Sequence, residues 1–518
     1  MKIDIITKTA RSVAFEIECE GKYYSATPHD IVCKSNEDEI CFTSEKVVNS
    51  IFGLKPATAY TISVDGKDAY EFTTDREFVT LNVKDFGAIG DGVHDDTAAI
   101  QCAIMACPKD SRVYVPGGVY KISSLFLKSD LTLYIEKDAV LSAFTDRSKF
   151  AILPGIIENY DENDYYNLGS WEGNPLDTFA AIICGIGVSN VVITGEGVID
   201  GCADFDNWWH NCKIRNIAWR PRLFFINNCE NVTLNGITVK NSPSWTLHPY
   251  FSRNLKFIDI KIQNPANSHN TDGLDPESCE GVLVLGVYIS VGDDCIAIKS
   301  GKIYMGRLYK KPTIDMTIRQ CCMRDGHGAI TLGSEIAAGV KNLVIKDCLF
   351  MNTDRGLRVK TRRGRGKDCV LDNILFEGIK MDNVMTPFVV NSFYFCDPDG
   401  KTDYVSSKEA LPVDDRTPAI KHLMFKDIEA TNCHVAASYI YGLPESKIEE
   451  VVFENVSVSY ADKPKSGVAA MMIGCDEAVL QGLIVNNVKK LVLKNVKVEG
   501  ASTEAVVADN IDEIIEDC

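Results

Sequence analysis

Short apolar runs led by a polar residue recur along this chain, and that recurrence limits the fold more than any other feature. Asn190-Val191-Val192-Ile193, Asn231-Val232-Thr233-Leu234, Asn254-Leu255-Lys256-Phe257 and Asn342-Leu343-Val344-Ile345 are copies of one pattern. His422-Leu423-Met424-Phe425, Glu450-Val451-Val452-Phe453 and Lys490-Leu491-Val492-Leu493 continue it. Several copies run on into a second short strand, as across residues 254–262 and 342–350. The spacing is roughly 23 to 34 residues, with two longer gaps that imply inserted loops. A unit of that length buries its apolar face only against its neighbours, which predicts a solenoid. With no helical periodicity between the strands, the solenoid is a parallel β-helix. A leucine-rich horseshoe lacks support, because its leucine spacing is missing.

The chain divides into a small β domain at residues 1–77 and the β-helix at 78–518. Val13-Ala14-Phe15-Glu16-Ile17 alternates as a half-buried strand does. Residues 54–62, Leu-Lys-Pro-Ala-Thr-Ala-Tyr-Thr-Ile, resemble the segment of fibronectin type III domains in which a Tyr caps a sandwich corner. Phe72-Thr73-Thr74 resembles the end of their last strand, and an unrelated β-sandwich is the alternative. Asp95-Asp96-Thr97 opens a helix whose apolar face continues through Ile104 and Met105, a plug for the end of the solenoid. Two insertions are rich in aromatics: Tyr160, Tyr165, Tyr166 and Trp171 in one, Trp208, Trp209 and Trp219 in the other. They either stack on sugars or pack on the solenoid wall.

A formal charge of −18 argues against nucleic acid and against anionic membrane as partners. An anionic substrate stays open if cations are concentrated locally. No window approaches a membrane span, and Met1-Lys2-Ile3-Asp4-Ile5 lacks the basic and apolar regions of an export signal. The 19 cysteines are odd in number and lie in apolar runs such as Cys321-Cys322, not at framework spacing. Both points lead us to expect reduced thiols in a cytoplasmic protein.

Within the repeats lie Asn270-Thr271-Asp272, Gly292-Asp293-Asp294, Gly326-His327-Gly328 and Arg358-Val359-Lys360, each about one repeat from the next. Stacked coils would gather them into one patch. Glycoside hydrolysis needs a carboxylic acid for the leaving oxygen and a carboxylate to activate water or attack directly. Three close aspartates repel one another, so one keeps a proton near neutral pH. His327 would tune which carboxyl holds it. Arg358 and Lys360 flank inward Val359, so both point outward toward a uronate carboxylate. The basic run from Arg358 to Lys367 reads as a solvated face that draws in a polyuronate.

The ordered set resembles the polygalacturonases of glycoside hydrolase family 28, whose signatures are Asn-Thr-Asp, Asp-Asp, Gly-His-Gly and Arg-x-Lys. The likeness runs from about residue 80 to 460. It implies a right-handed, pectin-lyase-like parallel β-helix and inverting hydrolysis of α-1,4-galacturonosyl links, with no metal or other cofactor. It makes Asp293 the general acid, with Asp272 and Asp294 activating the water across a gap of about 6.5–9.5 Å. His327 would support the acid, Arg358 and Lys360 would bind the uronate, and Asn270 would orient base or sugar. Tyr394 stands where the family has a later Tyr motif. Residues 331–335, Thr-Leu-Gly-Ser-Glu, resemble the bacterial exo-acting branch, which adds Glu335 as a substrate contact. The expectation is therefore release of galacturonate from the non-reducing end of oligogalacturonides, with an oligomer left open. Endo attack, rhamnogalacturonan fragments as substrate, a pectate lyase and a non-catalytic binding solenoid are the alternatives.

Overall fold

Each Asn that opens a repeat is in the left-handed region, with φ of 59° at Asn190, 57° at Asn231, 54° at Asn254 and 54° at Asn342. Asn tolerates that conformation better than most side chains, so the chain turns a corner there, at the second or third residue of each strand, and then runs on extended. Stacked corners bring the amides into register: Asn231 donates to Asn190 at 3.0 Å, Asn254 to Asn231 at 3.3 Å and Asn373 to Asn342 at 2.9 Å. Asn342→Ala is expected to cost about 1–2 kcal/mol through the left-handed φ and the two lost ladder bonds, to Asp315 and from Asn373. An unchanged unfolding midpoint in urea would refute this account of the repeat.

The computed structural model describes residues 2–19, 21–158 and 165–517. Among these, thirty strands join in one parallel sheet wound into the expected β-helix. Arg253–Ile258, Glu280–Leu285, Thr313–Arg319 and Val340–Lys346 lie side by side on one face. Lys261–Gln263, Tyr288–Ser290, Cys322–Arg324 and Leu349–Met351 form the next. Ile296–Ile298, Ile330–Gly333 and Arg355–Lys360 form the third. Leu255, Val282, Met316, Leu343 and Ile374 stand beside one another in successive coils, all buried. Farther along, the rings of Phe388, Phe425 and Phe453 fill the interior at 4.6 and 4.9 Å between successive centroids.

Helix Thr97–Ala106 covers the first coil and buries Ile100, Ala103 and Ile104. Met105, expected on that apolar face, is instead 62% exposed. The preceding Asp96 makes no side-chain cap. It accepts from the N–H groups of Ile89 and Gly90, while Asp95 accepts from Thr97.

Ile3–Lys8, Ser12–Ile17 and Val48–Phe52 make one antiparallel sheet; Glu39–Lys46, Tyr24–Lys34, Ala59–Val64 and Lys67–Thr73 make a second. They share a core that includes Phe15, Ile31 and Tyr60, and the Tyr60 hydroxyl accepts from the Lys55 N–H at 3.0 Å. This unit lies sideways on the corners between the first two faces. Ala14 and Val48 pack on Ile258 and Leu285, and Asn235 donates to Ser50 at 2.9 Å. Lys46 pairs with Asp259, Arg319 with Glu16 and Lys22 with Asp347. A β-carbon at Gly236 would lie 2.2 Å from the Phe52 ring, and one at Gly286 2.5 Å from Val48, so both corners need glycine for the approach.

Candidate active site

The third face of the coils collects the sequence motifs: the first three occupy the corner just before a strand position of that face, and Arg358-Val359-Lys360 lies in the strand Arg355–Lys360 itself. Gly273 donates to the carbonyl of Asp294, Cys295 to that of Gly328 and Ala329 to that of Arg355, so the corners stack one above another. Beyond them Leu274, Ile296, Ile330 and Leu357 align inward. Arg358 and Lys360 alternate with buried Val359 and reach the outer side, as the spacing predicts.

Nearest oxygens of Asp272, Asp293 and Asp294 lie within 4.8 Å of one another. That is tighter than the gap of about 6.5–9.5 Å expected for an acid and base with water between them. The three differ in environment. Asp294 is wholly buried; its Oδ1 accepts from Arg358 at 2.9 Å and its Oδ2 from Lys360 at 2.6 Å. Burial alone would favour its neutral form, but the Lys360 and Arg358 charges hold its carboxyl well below the usual range. Asp272 is also buried, and burial first, then the charges of Asp275 and Asp293, push it well above the usual range. Lys299, 3.9 Å away, opposes that rise. Asp293 is half-buried and faces a cavity of about 410 Å³. Three acidic groups at this spacing have the geometry to hold a cation. Here Arg358, Lys360 and Lys299 already supply the counter-charge.

Of the expected site residues, Asn270, Asp272, Asp293, His327, Glu335, Arg358, Lys360 and Tyr394 line the cavity; Asp294 lies behind its wall. Arg358 and Lys360 do not stand free for a uronate, since both are bound to Asp294. His327 is tied by its ring to Asp354, not to Asp293: Nδ1 lies 2.8 Å from Oδ2 of Asp354. A carboxylate accepts only, so Nδ1 carries the hydrogen. That bond, against the effect of burial, raises the imidazole pKa. The backbone N–H of His327 donates to the Asp293 carbonyl at 3.0 Å. Asn270 accepts from Arg220 at 2.8 Å, which leaves its amide hydrogens for the cavity. Glu335 accepts from Lys299 at 3.1 Å and from Ser334 at 2.8 Å. Tyr394 is largely buried, with the Lys360 ammonium 5.8 Å from its ring centroid.

Lys299, Trp245, Glu172, Asp354 and Met471 also line the cavity and were missed in the sequence. Asp354 had a signal, since it stands one coil after His327. Lys299 had a weaker one, as the outward residue after Ile298 in the Asp-Asp motif strand. Glu172 and Met471 come from insertions, where the period is silent. The basic run is not a solvated face: Arg362 pairs with Asp397 and Asp399, Arg363 with Glu445, and Arg365 with Asp397. Lys367 alone in the stretch after Lys360 is an exposed cation, and it pairs with Asp415. The insertion tryptophans are packing: Trp208 lies against Phe150 and Phe179, Trp209 donates to Ser242, and Trp171 stacks on Trp219. Tyr160 lies outside the described residues.

Residues 159–477 match the family described as glycosyl hydrolases family 28, and residues 80–134 match rhamnogalacturonase A/epimerase, pectate lyase-like. The chain is 31% identical to a "Probable polygalacturonase" of Vitis vinifera, over 74% of this chain and 75% of that one. It is 27% identical to an exo-poly-alpha-D-galacturonosidase of Dickeya chrysanthemi, covering 73% and 69% of the two chains. It is 29% identical to an endo-polygalacturonase of Pectobacterium carotovorum, covering 70% and 84%. Among solved structures, the family 28 exopolygalacturonase of Yersinia enterocolitica superposes with a TM-score of 0.68 at 19% identity, covering 99% of this chain and 98% of that one. That likeness extends over the whole right-handed parallel β-helix and the small sheets before it.

Proposed function

The chain belongs to glycosyl hydrolases family 28, and on that footing we propose that it is a polygalacturonase that releases galacturonate from the non-reducing end of oligogalacturonides, with inversion. The observation that carries this reading is that Asp272, Asp293, Arg358 and Lys360 line one walled cavity, with Asp294 binding both cations from behind its wall. Asp293, the half-buried member that faces the cavity, passes its proton to the glycosidic oxygen as the bond to C1 breaks. A water attacks C1 from the opposite side and gives its proton to Asp272. The trio titrates as one coupled set, and the step requires the proton on Asp293 and an anionic Asp272 when the bond breaks. Sequence motifs give Asp294 a share in activating the water. Its burial favours a different part: its charge fixes Arg358 and Lys360 side by side. An entering uronate would then complete two cations with two anions.

Close carboxylates suit direct attack on the sugar, for which about 5–5.5 Å is usual. Water is favoured here because Asp272 and Asp294 are too covered for a sugar carbon to reach. An exo mode is favoured by the walls. Glu172, Cys396 with Asp397, and Met471 come from three separate insertions and turn the groove into a pocket that suits a chain end. Relatives of both modes exist at similar identity.

A time course on tri- and tetragalacturonate tests the reading, with products separated by chromatography, anomers followed by proton NMR and ultraviolet absorbance recorded. Saturated monomer, first formed as the β-anomer, is the expected product. A spread of saturated oligomers would replace the exo mode by an endo mode. An early α-anomer would remove inversion, and an absorbing product would mean a lyase.

A further inference from the structure

Beneath the cavity a column of aromatic rings and cations runs from an insertion into the floor of the site. Trp219 stacks on Trp171 at 4.7 Å and 6°. The Arg222 guanidinium lies 4.9 Å from the Trp171 ring and 4.7 Å from the Trp245 ring, and the Lys299 ammonium lies 4.3 Å from Trp245. Arg222 is fixed on its other sides. It donates to the Ser170 carbonyl at 2.8 Å and to Nδ1 of His248 at 3.3 Å. The other His248 nitrogen therefore carries the hydrogen and donates to Glu277 at 3.0 Å. Every group from Arg222 to Lys299 is buried.

At the top of the column Lys299 faces three carboxylates, Glu335 at 3.1 Å, Asp275 at 3.5 Å and Asp272 at 3.9 Å. Asp275 makes no hydrogen bond through either oxygen, so the ammonium is its nearest partner of opposite charge. The other charges acting on Asp272 include Asp275, then Asp293 and Asp294 within the trio, and Arg220 behind Asn270. Arg220 is engaged by Asn270 and by the carbonyls of Pro243 and His269. Arg358 and Lys360 are engaged by Asp294. Lys299 is thus the cation placed to act on Asp272.

We propose that Lys299 is a positioning residue of the hydrolysis: held from below by the Trp171–Arg222–Trp245 column, its ammonium orients Asp272 and lets it serve as an anionic base. The inference rests on the reading of Asp272 as the base. A buried carboxyl among three other acids is driven toward its neutral form, and a fixed cation beside it opposes that drive and makes the anion easier to reach. Glu335 shares Lys299 with Asp272, so the two acids compete for one ammonium.

The test is the pH profile of kcat/KM on trigalacturonate, whose acidic limb reports the base of the free enzyme. On the reading of Asp272 as the group that takes the water's proton, that limb belongs to Asp272. Lys299→Met removes the cation and must raise the base's pKa. Its acidic limb is expected to move up by about one unit or more, with kcat reduced roughly 10- to 100-fold and KM within about threefold. Lys299→Arg is expected to restore the limb. Glu335→Gln removes the competing anion, so its limb should move down. Thermal unfolding identifies a variant that fails to fold; if Lys299→Met does, the sign of the Glu335→Gln shift decides. Limbs unmoved in the folded variants, while Asp272→Asn is inactive, would overturn the inference and leave the function standing. Near-normal turnover by Asp272→Asn would remove the reading of Asp272, and the inference with it.

Discussion

Asp293→Asn is expected to lower kcat on trigalacturonate by about 10²–10⁴-fold, with KM little changed. Asn has the shape of Asp but no acidic proton, so the departing sugar oxygen must leave as an alkoxide. The substitution is gentle on the fold. Asp293 is half-buried, and its structural contact, acceptance of the Asp294 N–H by Oδ1 at 3.0 Å, is one that an amide oxygen also makes. An aryl galacturonide separates loss of the acid from a distorted site. A nitrophenolate leaves without help, so the deficit on that substrate should shrink to a small factor. Equal deficits on both substrates would mean that Asp293 acts some other way. Wild-type turnover of the oligomer would take the acid's role from it altogether.

Arg363→Met should have the largest effect on stability. The guanidinium is 1% exposed, donates to both oxygens of Glu445 at 2.5 and 2.8 Å, and donates to the carbonyls of Tyr404, Ser407 and Glu409. Met fills much of the volume but leaves the Glu445 charge buried and alone, which costs about 3–5 kcal/mol. The damage is local, since Arg363 ties the turn around Asp403–Ser406 to the solenoid. Hydrogen exchange of amides in residues 403–409 should accelerate by about 10²–10³-fold, while strands on the far face keep wild-type rates. Adding Glu445→Gln to Arg363→Met should recover part of the loss, because the stranded charge is gone. Unchanged exchange in that segment would show that the five bonds are not what holds it.

Period and alternation are legible in a sequence because they are local. The left-handed corners announce themselves as Asn, and Arg358 and Lys360 disclose their shared face through the single residue between them. Period also placed Asp272, Asp293, Asp294 and His327 on one patch without any long-range knowledge. It has nothing to say about partners drawn from insertions. The basic run looks like a solvated loop until Glu445 and Asp397 arrive from distant segments to neutralise it. Trp171 likewise has the composition of a sugar platform, but two arginines and Trp219 already cover it. The tight trio was illegible for another reason: carboxylate spacing is set by corner geometry to within an ångström or two, below what a repeat length resolves.

The small N-terminal unit touches Gly236, Asp259, Gly286, Arg319 and Asp347, one position on each of a run of successive turns. Asp272, Asp293, His327 and Asp354 belong to the last four of those same turns, on the far side of the barrel. A stack that touches only its neighbours can loosen rung by rung, like a coiled spring pulled from its end. A rigid splint clamped along several rungs forbids that, because no rung in the run can slip without prying the splint from all of them. The catalytic span is thereby made to yield as a block or not at all, and breathing is left to the turns beyond either end of the clamp.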